Sequence, residues 1–83
     1  MQSLSDANPR RDLVEQLSER EREVVRFTAM GLTSREAGLR LKISPKTVDT
    51  YRARAMNKLD ISQRPELIRF ALQAGLLDDL MGE

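Results

Sequence analysis

Residues 33–59 read TSREAGLRLKISPKTVDTYRARAMNKL, and this stretch predicts two consecutive helices. The first helix starts at a capping box, because Thr33 is followed three residues later by Glu36 and each side chain can bond the other residue's backbone amide. The second starts at Ser44-Pro45, since Ser is a strong cap and Pro loses no hydrogen bond at the first helical position. The first helix must be short, because the second start signal follows it closely.

The link between these two helices consists only of Lys42 and Ile43. A link this short forces the helices to cross at a steep angle, which is the arrangement of a helix-turn-helix. Gly38 supports the crossing, because Gly in a helix interior costs about 1 kcal/mol relative to Ala and is tolerated where a neighbouring helix passes close. We expect Ile43 to plug the space between the two helices.

Two further helices flank this pair. A capping box at Ser18 and Glu21 starts the upstream helix, and Gly31 is its stop signal. The downstream helix ends at Gly75. The predicted helices span residues 18–30, 33–41, 44–59 and 64–75. No strand pattern is present, so we predict an all-α fold, a compact four-helix bundle that contains a helix-turn-helix.

Length and composition limit the possible functions. The chain has 83 residues, of which 40% are apolar, so it supports one small core. Without Cys or His it has no zinc finger, haem site, disulfide or Ser-His-Asp triad. Acidic residues such as Asp78 and Asp79 lie in a polar tail, and a chain this small has little room for a cleft. We predict no enzyme, no cofactor and no metal.

The ends of the chain differ in composition from its centre. Residues 1–16 are polar and are predicted to be an N-terminal tail or linker with a helical turn near Leu13 and Val14. The domain is predicted over residues 17–77, followed by a C-terminal tail at 78–83. The linker-like composition favours a fragment of a longer regulator over a stand-alone one. No apolar run is long enough to cross a membrane, so we expect a cytoplasmic protein.

The third predicted helix has an apolar and a polar side. Stepping 100° per residue places Val48, Ala55 and Leu59 together, with Tyr51 and Arg52 flanking them. The opposite side collects small and polar residues between cations, as a helix entering the DNA major groove requires. Those residues are Lys46, Thr50, Ala53, Arg54 and Asn57, with Asp49 at the edge. The alternative interpretation is an ordinary solvated helix face.

The formal charge of +1 conceals an uneven distribution of charge along the chain. Residues 33–59 carry seven cations and two acids, a net charge of +5, whereas the rest of the chain carries seven cations and eleven acids, a net charge of −4. A positive segment on the helix-turn-helix is typical of a nucleic-acid-binding protein.

Several short motifs together resemble the LuxR-type DNA-binding domain, also called GerE or NarL/FixJ type, found at the C-terminus of response regulators. The matching pieces cover about three quarters of the chain. They include LSEREREVV at 17–25, Arg35-Glu36, ISPKTV at 43–48, KL at 58–59 and ALQAGL at 71–76. The resemblance implies a four-helix bundle whose third helix reads the major groove and whose fourth helix forms a two-fold dimer.

The resemblance also implies which residues bind. Those at family DNA-contact positions are Lys46, Thr47, Asp49, Thr50, Ala53, Arg54 and Lys58, with Thr33 and Ser34 at the phosphate-contacting start of the second helix. Those assigned to dimerisation are Leu67, Ile68, Phe70, Ala71 and Leu72.

This chain departs from the family pattern at four places. Ser34 replaces the usual Asn, Ala37-Gly38 replaces a larger apolar residue plus Ala, and Tyr51 replaces His. Asp49 replaces a common Lys, where an acid would repel phosphate. It either accepts from a cytosine amino group or pairs with Arg52 or another neighbour. For Tyr51 we prefer packing against the first helix to a base contact, with a phosphate hydrogen bond as the alternative.

The fourth helix carries more apolar surface than one core-facing stripe requires. Either the C-terminal segment with Leu76, Leu77, Leu80 and Met81 folds back over it, or a second copy covers it. A two-fold dimer would place two recognition helices about 34 Å apart on an inverted repeat.

Three functions remain open from the sequence. The first is sequence-specific binding of double-stranded DNA in transcription regulation, in the bacterial cytoplasm and on the nucleoid, with RNA polymerase as a further candidate partner and no membrane. The second is the promoter-reading region of an alternative sigma factor, against which the fourth helix and its AGL ending argue. The third is a helical protein-interaction module, an anti-activator or adaptor, supported by the near-neutral total charge and Asp49.

Overall fold

A computed structural model describes residues 13–77, and the predicted all-α fold is confirmed there. Four helices follow one another along the chain, and no strand occurs among these residues. They are α1 (Glu19–Ala29), α2 (Ser34–Leu41), α3 (Pro45–Lys58) and α4 (Arg64–Gln73). The predicted C-terminal tail, and with it Leu80 and Met81, lies outside the described residues, as do residues 1–12 of the predicted linker.

The predicted starts of α1, α2 and α3 are confirmed by their hydrogen bonds. At α1 the Glu21 amide donates to Ser18 Oγ (3.1 Å), and the Ser18 amide donates to Glu21 Oε1 (2.8 Å). The second capping box starts α2 in the same way, between Thr33 and Glu36. At α3 the Thr47 amide donates to Ser44 Oγ (3.0 Å). These bonds satisfy amides that have no partner inside the helix.

Helix α1 lies at the centre of the bundle and contributes to two apolar clusters. In the first cluster, Val24 packs with Ala37 and Leu41 of α2 and with Val48 of α3. The next residue, Val25, packs into the second cluster. That cluster joins α1 to the end of α3, to α4 and to the flanking segments, and it contains Val14, Leu17, Val25, Ala55, Leu59, Leu67, Phe70, Ala71 and Ala74. Because α1 contacts both clusters, it supports the helix-turn-helix from behind.

Packed residues begin upstream of Leu17. Leu13 to Leu17 form a helical turn in which the Leu17 amide donates to the Val14 carbonyl (3.0 Å). Val14 is 6% exposed and belongs to the second cluster, with Leu13 packed beside it. The core therefore includes the last residues of the segment predicted to be a tail.

Helix α4 uses most of its apolar surface inside the chain. Leu67, Phe70 and Ala71 are buried in the second cluster. Three of the five residues predicted for dimerisation therefore face the core of this chain, and the dimer itself stays a prediction. Ile68 is half-buried and Leu72 is 53% exposed, so these two remain within reach of a partner. None of the helices in residues 13–77 is long and apolar enough to cross a membrane.

The turn between α2 and α3 depends on close backbone contact. Lys42 adopts the left-handed conformation (φ 62°), and the Ile43 amide donates to the Gly38 carbonyl (3.0 Å). A Cβ atom added at Gly38 would lie 2.6 Å from the Ile43 carbonyl oxygen. The close approach predicted at Gly38 is therefore confirmed, although the neighbour is the turn and not the body of a helix. Ile43 is half-buried against the first cluster, as expected of a plug.

Gly38→Ala should lower the free energy of unfolding by about 1–3 kcal/mol, because the turn backbone must move to admit the methyl group. Urea denaturation measures this change. Leu39→Ala is the matched control in the same helix and should have little effect, since Leu39 is 73% exposed. A Gly38→Ala variant as stable as the parent would contradict the packing described for the turn.

Candidate nucleic-acid interface

The two sides of α3 are divided as the helical wheel predicts. Val48 and Ala55 are fully buried, and Leu59 follows them into the core. Tyr51 is half-buried against the first cluster, in agreement with the packing role preferred for it. After Pro45, the residues of α3 that are exposed to solvent lie on one side of the helix, which we call the outer face: Lys46, Asp49, Thr50, Ala53, Arg54, Asn57 and Lys58.

Arg52 lies on the buried side of α3 and bonds to three helices. Its Nε donates to Thr28 Oγ1 of α1 (3.2 Å), and its Nη2 donates to Ser34 Oγ of α2 (2.8 Å). Its Nη1 pairs with Asp49 Oδ1 of α3 (3.1 Å). Thr28 in turn donates to the Val24 carbonyl (2.8 Å). The guanidinium therefore fixes how α3 sits against the other two helices.

Asp49 is held at the rim of this network. Its Oδ1 accepts from Arg52 and also from the Ser34 hydroxyl. The Ser34 bond lowers the pKa of Asp49 most strongly, burial opposes it, and the nearby Arg52 charge lowers it further, so the pKa lies below its ordinary value. The ion pair with Arg52, one of the two roles predicted for Asp49, is confirmed. The hydroxyl of Ser34 is occupied by the same network.

The predicted hydroxyl contacts are engaged within the chain. Thr33 Oγ1 accepts the Glu36 amide, and Thr47 Oγ1 shares a hydrogen bond with Ser44 Oγ (2.9 Å). Thr50 Oγ1 donates to the Lys46 carbonyl (3.1 Å). Each of these bonds uses either the proton or a lone pair of a hydroxyl. A ligand can therefore bond only to the proton or lone pair that is left on that hydroxyl.

The cations of the outer face differ in the contacts that they make within the chain. Lys46 is exposed in the first turn of α3, and no ion pair holds it within the described residues. The Arg54 guanidinium carbon lies 6.0 Å from the centre of the Tyr51 ring, at the outer limit of a cation–π contact. Ala53 is exposed on the same face and adds no bulk. These three residues leave the middle of the outer face accessible.

Lys58, the last predicted DNA contact, is paired inside the chain. Its Nζ lies 2.8 Å from Glu21 Oε1, the carboxylate that also closes the capping box of α1. Burial raises the pKa of Glu21, but the bonds from Lys58 and Ser18 outweigh that effect, and the pKa lies below its ordinary value of 4.5. Lys58 therefore ties the end of α3 to the start of α1, although its side chain is still 42% exposed.

Two features of this region were not predicted from the sequence. Arg52 was placed at the flank of the apolar side, and its bonds to Thr28 and Ser34 were not foreseen. A signal existed, because Arg52 follows Val48 by four residues and precedes Ala55 by three, so it falls on the buried stripe. The Glu21–Lys58 pair had no such signal, since 37 residues separate its partners.

Comparison with known proteins agrees with this geometry. Residues 15–71 match the family described as bacterial regulatory proteins, luxR family. The chain belongs to this family. The match includes α1, α2 and α3 and most of α4, and thus the complete network around Arg52. No solved structure gives a significant match to the chain.

Individual family members are similar over most of the chain. The transcriptional regulatory protein FixJ of Rhizobium meliloti is 40% identical over 72 residues, which are 87% of this chain and 35% of that protein. The oxygen regulatory protein NreC of Staphylococcus carnosus is 38% identical over 73 residues, 88% of this chain and 34% of that protein. The chain thus spans about a third of the length of these relatives.

Glu21 should make folding depend on acid pH. Because its folded-state pKa is lowered, the stabilisation is complete above about pH 4.5 and is lost as the pH falls through the folded-state value. The difference in free energy of unfolding between the parent and Glu21→Gln should therefore be largest at neutral pH and shrink below pH 4.5. Denaturant titrations at a series of pH values measure it.

Glu23→Gln is the control for this experiment, because Glu23 lies nearer the surface of the same helix and pairs with Arg20 at 3.2 Å. Its substitution should change the free energy of unfolding less. A Glu21→Gln difference that stays constant from pH 7 to pH 3 would show that the carboxylate charge does not contribute.

Proposed function

We propose that this chain is a sequence-specific DNA-binding domain of a transcription regulator, with α3 in the major groove of double-stranded DNA. The observation that carries the proposal is the outer face of α3, where small and cationic side chains project from a helix whose other side is fixed in the core. Membership of the luxR family of bacterial regulatory proteins supports the same function.

The dimensions and chemistry of α3 suit the groove. A helix with its side chains is about 10–12 Å wide, and the major groove is about 12 Å wide. Ala53 at the centre of the outer face lets the backbone approach the bases. Arg54 can donate to guanine, and Lys46 at the start of the helix lies where a phosphate would bind. The start of α2, at Thr33 and Ser34, is the second phosphate-binding position in the proposal. The contact there would use backbone amides of the helix start, because the Ser34 hydroxyl already donates its proton to Asp49.

The net charge of +5 on residues 33–59 favours the approach of this side to DNA. Lys58 and Asp49 modify that charge, because each is already paired with an opposite charge of the chain. The exposed half of the Lys58 side chain still allows its ammonium to bridge Glu21 and a phosphate. Lys46 and Arg54 therefore supply most of the free positive charge of the outer face.

The relatives suggest the larger protein in which this domain works. FixJ is named a transcriptional regulatory protein, and YgeK of Escherichia coli, 43% identical over 61 residues (74% of this chain and 42% of that protein), is named a response regulatory protein. We propose that the chain acts as the effector domain of such a response regulator of a two-component system, in the cytoplasm.

We propose that a two-fold dimer on DNA forms through the part of the predicted dimer face of α4 that the core leaves accessible. Ile68 and Leu72 are the accessible apolar residues of its predicted dimer face. A dimer through them would place two copies of α3 about 34 Å apart, so selection from a random DNA pool should return an inverted repeat with that spacing. A selected site without two-fold symmetry would contradict this arrangement.

Two substitutions on α3 test the proposed orientation. Arg54→Ala should weaken binding to the selected site and reduce discrimination at one base pair by about 1–3 kcal/mol, because a base contact is lost. Lys46→Ala should weaken binding to all sequences alike and reduce the slope of log affinity against log salt by about 0.9, because one phosphate contact is lost. Fluorescence anisotropy at several salt concentrations measures both effects.

Arg69→Ala removes a cation from the exposed side of α4 and is the matched control, with little expected change in specificity. If both α3 variants bind like the parent, the outer face is not the DNA-reading surface. A parent chain that binds no duplex even at low salt would instead favour a protein-interaction module.

A further inference from the structure

Asp49 is an acid on a surface otherwise suited to a polyanion, and the structure fixes it in one orientation. Its Oδ1 accepts from both Ser34 and Arg52. Its other oxygen, Oδ2, has no hydrogen-bond partner within residues 13–77, and 58% of the side chain is exposed. An acceptor held this way loses little conformational entropy when a donor from outside binds to it.

The negative charge of Asp49 is balanced by a neighbouring cation. The guanidinium of Arg52 lies 3.1 Å away, and only 10% of the Arg52 side chain is exposed, so this cation is not available to DNA. Arg64 at the start of α4 adds a weaker attraction. The pair therefore brings almost no net charge to the outer face, which removes much of the repulsion between a lone carboxylate and phosphate. The lowered pKa of Asp49 keeps it ionised, as an acceptor only, at neutral pH.

The neighbours of Asp49 allow a base to reach it. Ala53 lies one turn further along the same stripe of α3, and Thr50 beside it bonds back to the Lys46 carbonyl. Neither side chain projects far from the helix. A short side chain such as Asp can contact a base edge only if the helix lies deep in the groove, and this stripe permits that depth.

We propose that Oδ2 of Asp49 reads a cytosine through its exocyclic amino group, and that Ser34 and Arg52 are the positioning residues for this contact. The inference rests on the proposed DNA-binding function and deepens it. In the major groove cytosine presents only a donor, at N4, whereas adenine places the N7 acceptor beside its N6 donor, and thymine and guanine present acceptors that a carboxylate repels. Asp49 would then specify one base pair of each half-site. A purely structural role, in which Asp49 only holds Arg52, is the outcome that the test must separate from it.

The test uses a substitution that keeps the hydrogen bonds of Oδ1 to Ser34 and Arg52 and replaces the acceptor at Oδ2 by a donor. In Asp49→Asn the carbonyl oxygen can still accept from Ser34 and Arg52, while an NH₂ group takes the place of Oδ2. The parent and the variant are each used to select sites from a random duplex pool. The parent should select a cytosine that Asp49→Asn no longer selects, with the variant favouring an acceptor base there. Asp49→Ala should lose discrimination at the same position without gaining a new preference.

A base analogue tests the same contact on the unaltered chain. Replacing the selected cytosine by pyrimidin-2-one removes only the N4 amino group. The parent should lose about 10-fold in affinity on this duplex, and Asp49→Asn should lose little. The same replacement at a cytosine outside the site is the control for DNA stability. Glu66→Gln, which removes an exposed acid from α4, should keep the parent's base preferences.

The outcomes separate the two proposals. If the parent selects a site and Asp49→Asn keeps every base preference, Asp49 is only structural and this inference is overturned while the proposed function stands. An unchanged parent affinity on the pyrimidin-2-one duplex overturns it equally. A parent that selects no sequence overturns the proposed function and this inference together.

Discussion

The position of the DNA-facing helix depends on one buried guanidinium. Arg52 is 8% exposed, and burying a cation is costly unless its N–H groups are bonded. Three such bonds are present, one each to α1, α2 and α3. Because all three partners must be in place together, the network admits one arrangement of these helices. Buried ion pairs contribute little net stability on average, and their best-supported use is to specify geometry.

The apolar core packs the helices together, and the Arg52 network sets their orientation. Val24 and Val25 are adjacent in α1 and fully buried, yet each belongs to a different cluster. One cluster holds the helix-turn-helix, and the other holds α4 and the end of α3. The Glu21–Lys58 pair adds a polar tie between the start of α1 and the end of α3. The outer face of α3 is thus a rigid surface, which lowers the entropy lost when it binds.

Much of the fold follows from local sequence signals. The starts of α1, α2 and α3 were predictable because a cap is formed by residues only three positions apart, such as Thr33 and Glu36. The outer face was predictable because helical periodicity fixes which residues share a side. The short link at Lys42 and Ile43 predicted the steep crossing for the same local reason.

The rest depends on contacts between residues distant in sequence. Arg52 and Thr28 are 24 positions apart, and periodicity shows that each is on a buried stripe without showing that they meet. Composition does not distinguish Leu67 and Phe70, which the core buries, from Leu72, which is exposed. Only the packing of α4 on α1 shows this difference. The sequence leaves open which neighbour pairs with Asp49, and the structure shows that its partner is the largely buried Arg52.

A double-mutant cycle between Arg52 and Thr28 tests the central claim most directly. Thr28→Val removes the hydroxyl with little change of shape, and Arg52→Met removes the guanidinium but keeps an unbranched side chain. Free energies of unfolding for the parent, both single variants and the double variant give the coupling between the two sites. The network predicts a coupling of at least about 0.5 kcal/mol. Strictly additive effects would show that Arg52 does not tie α3 to α1.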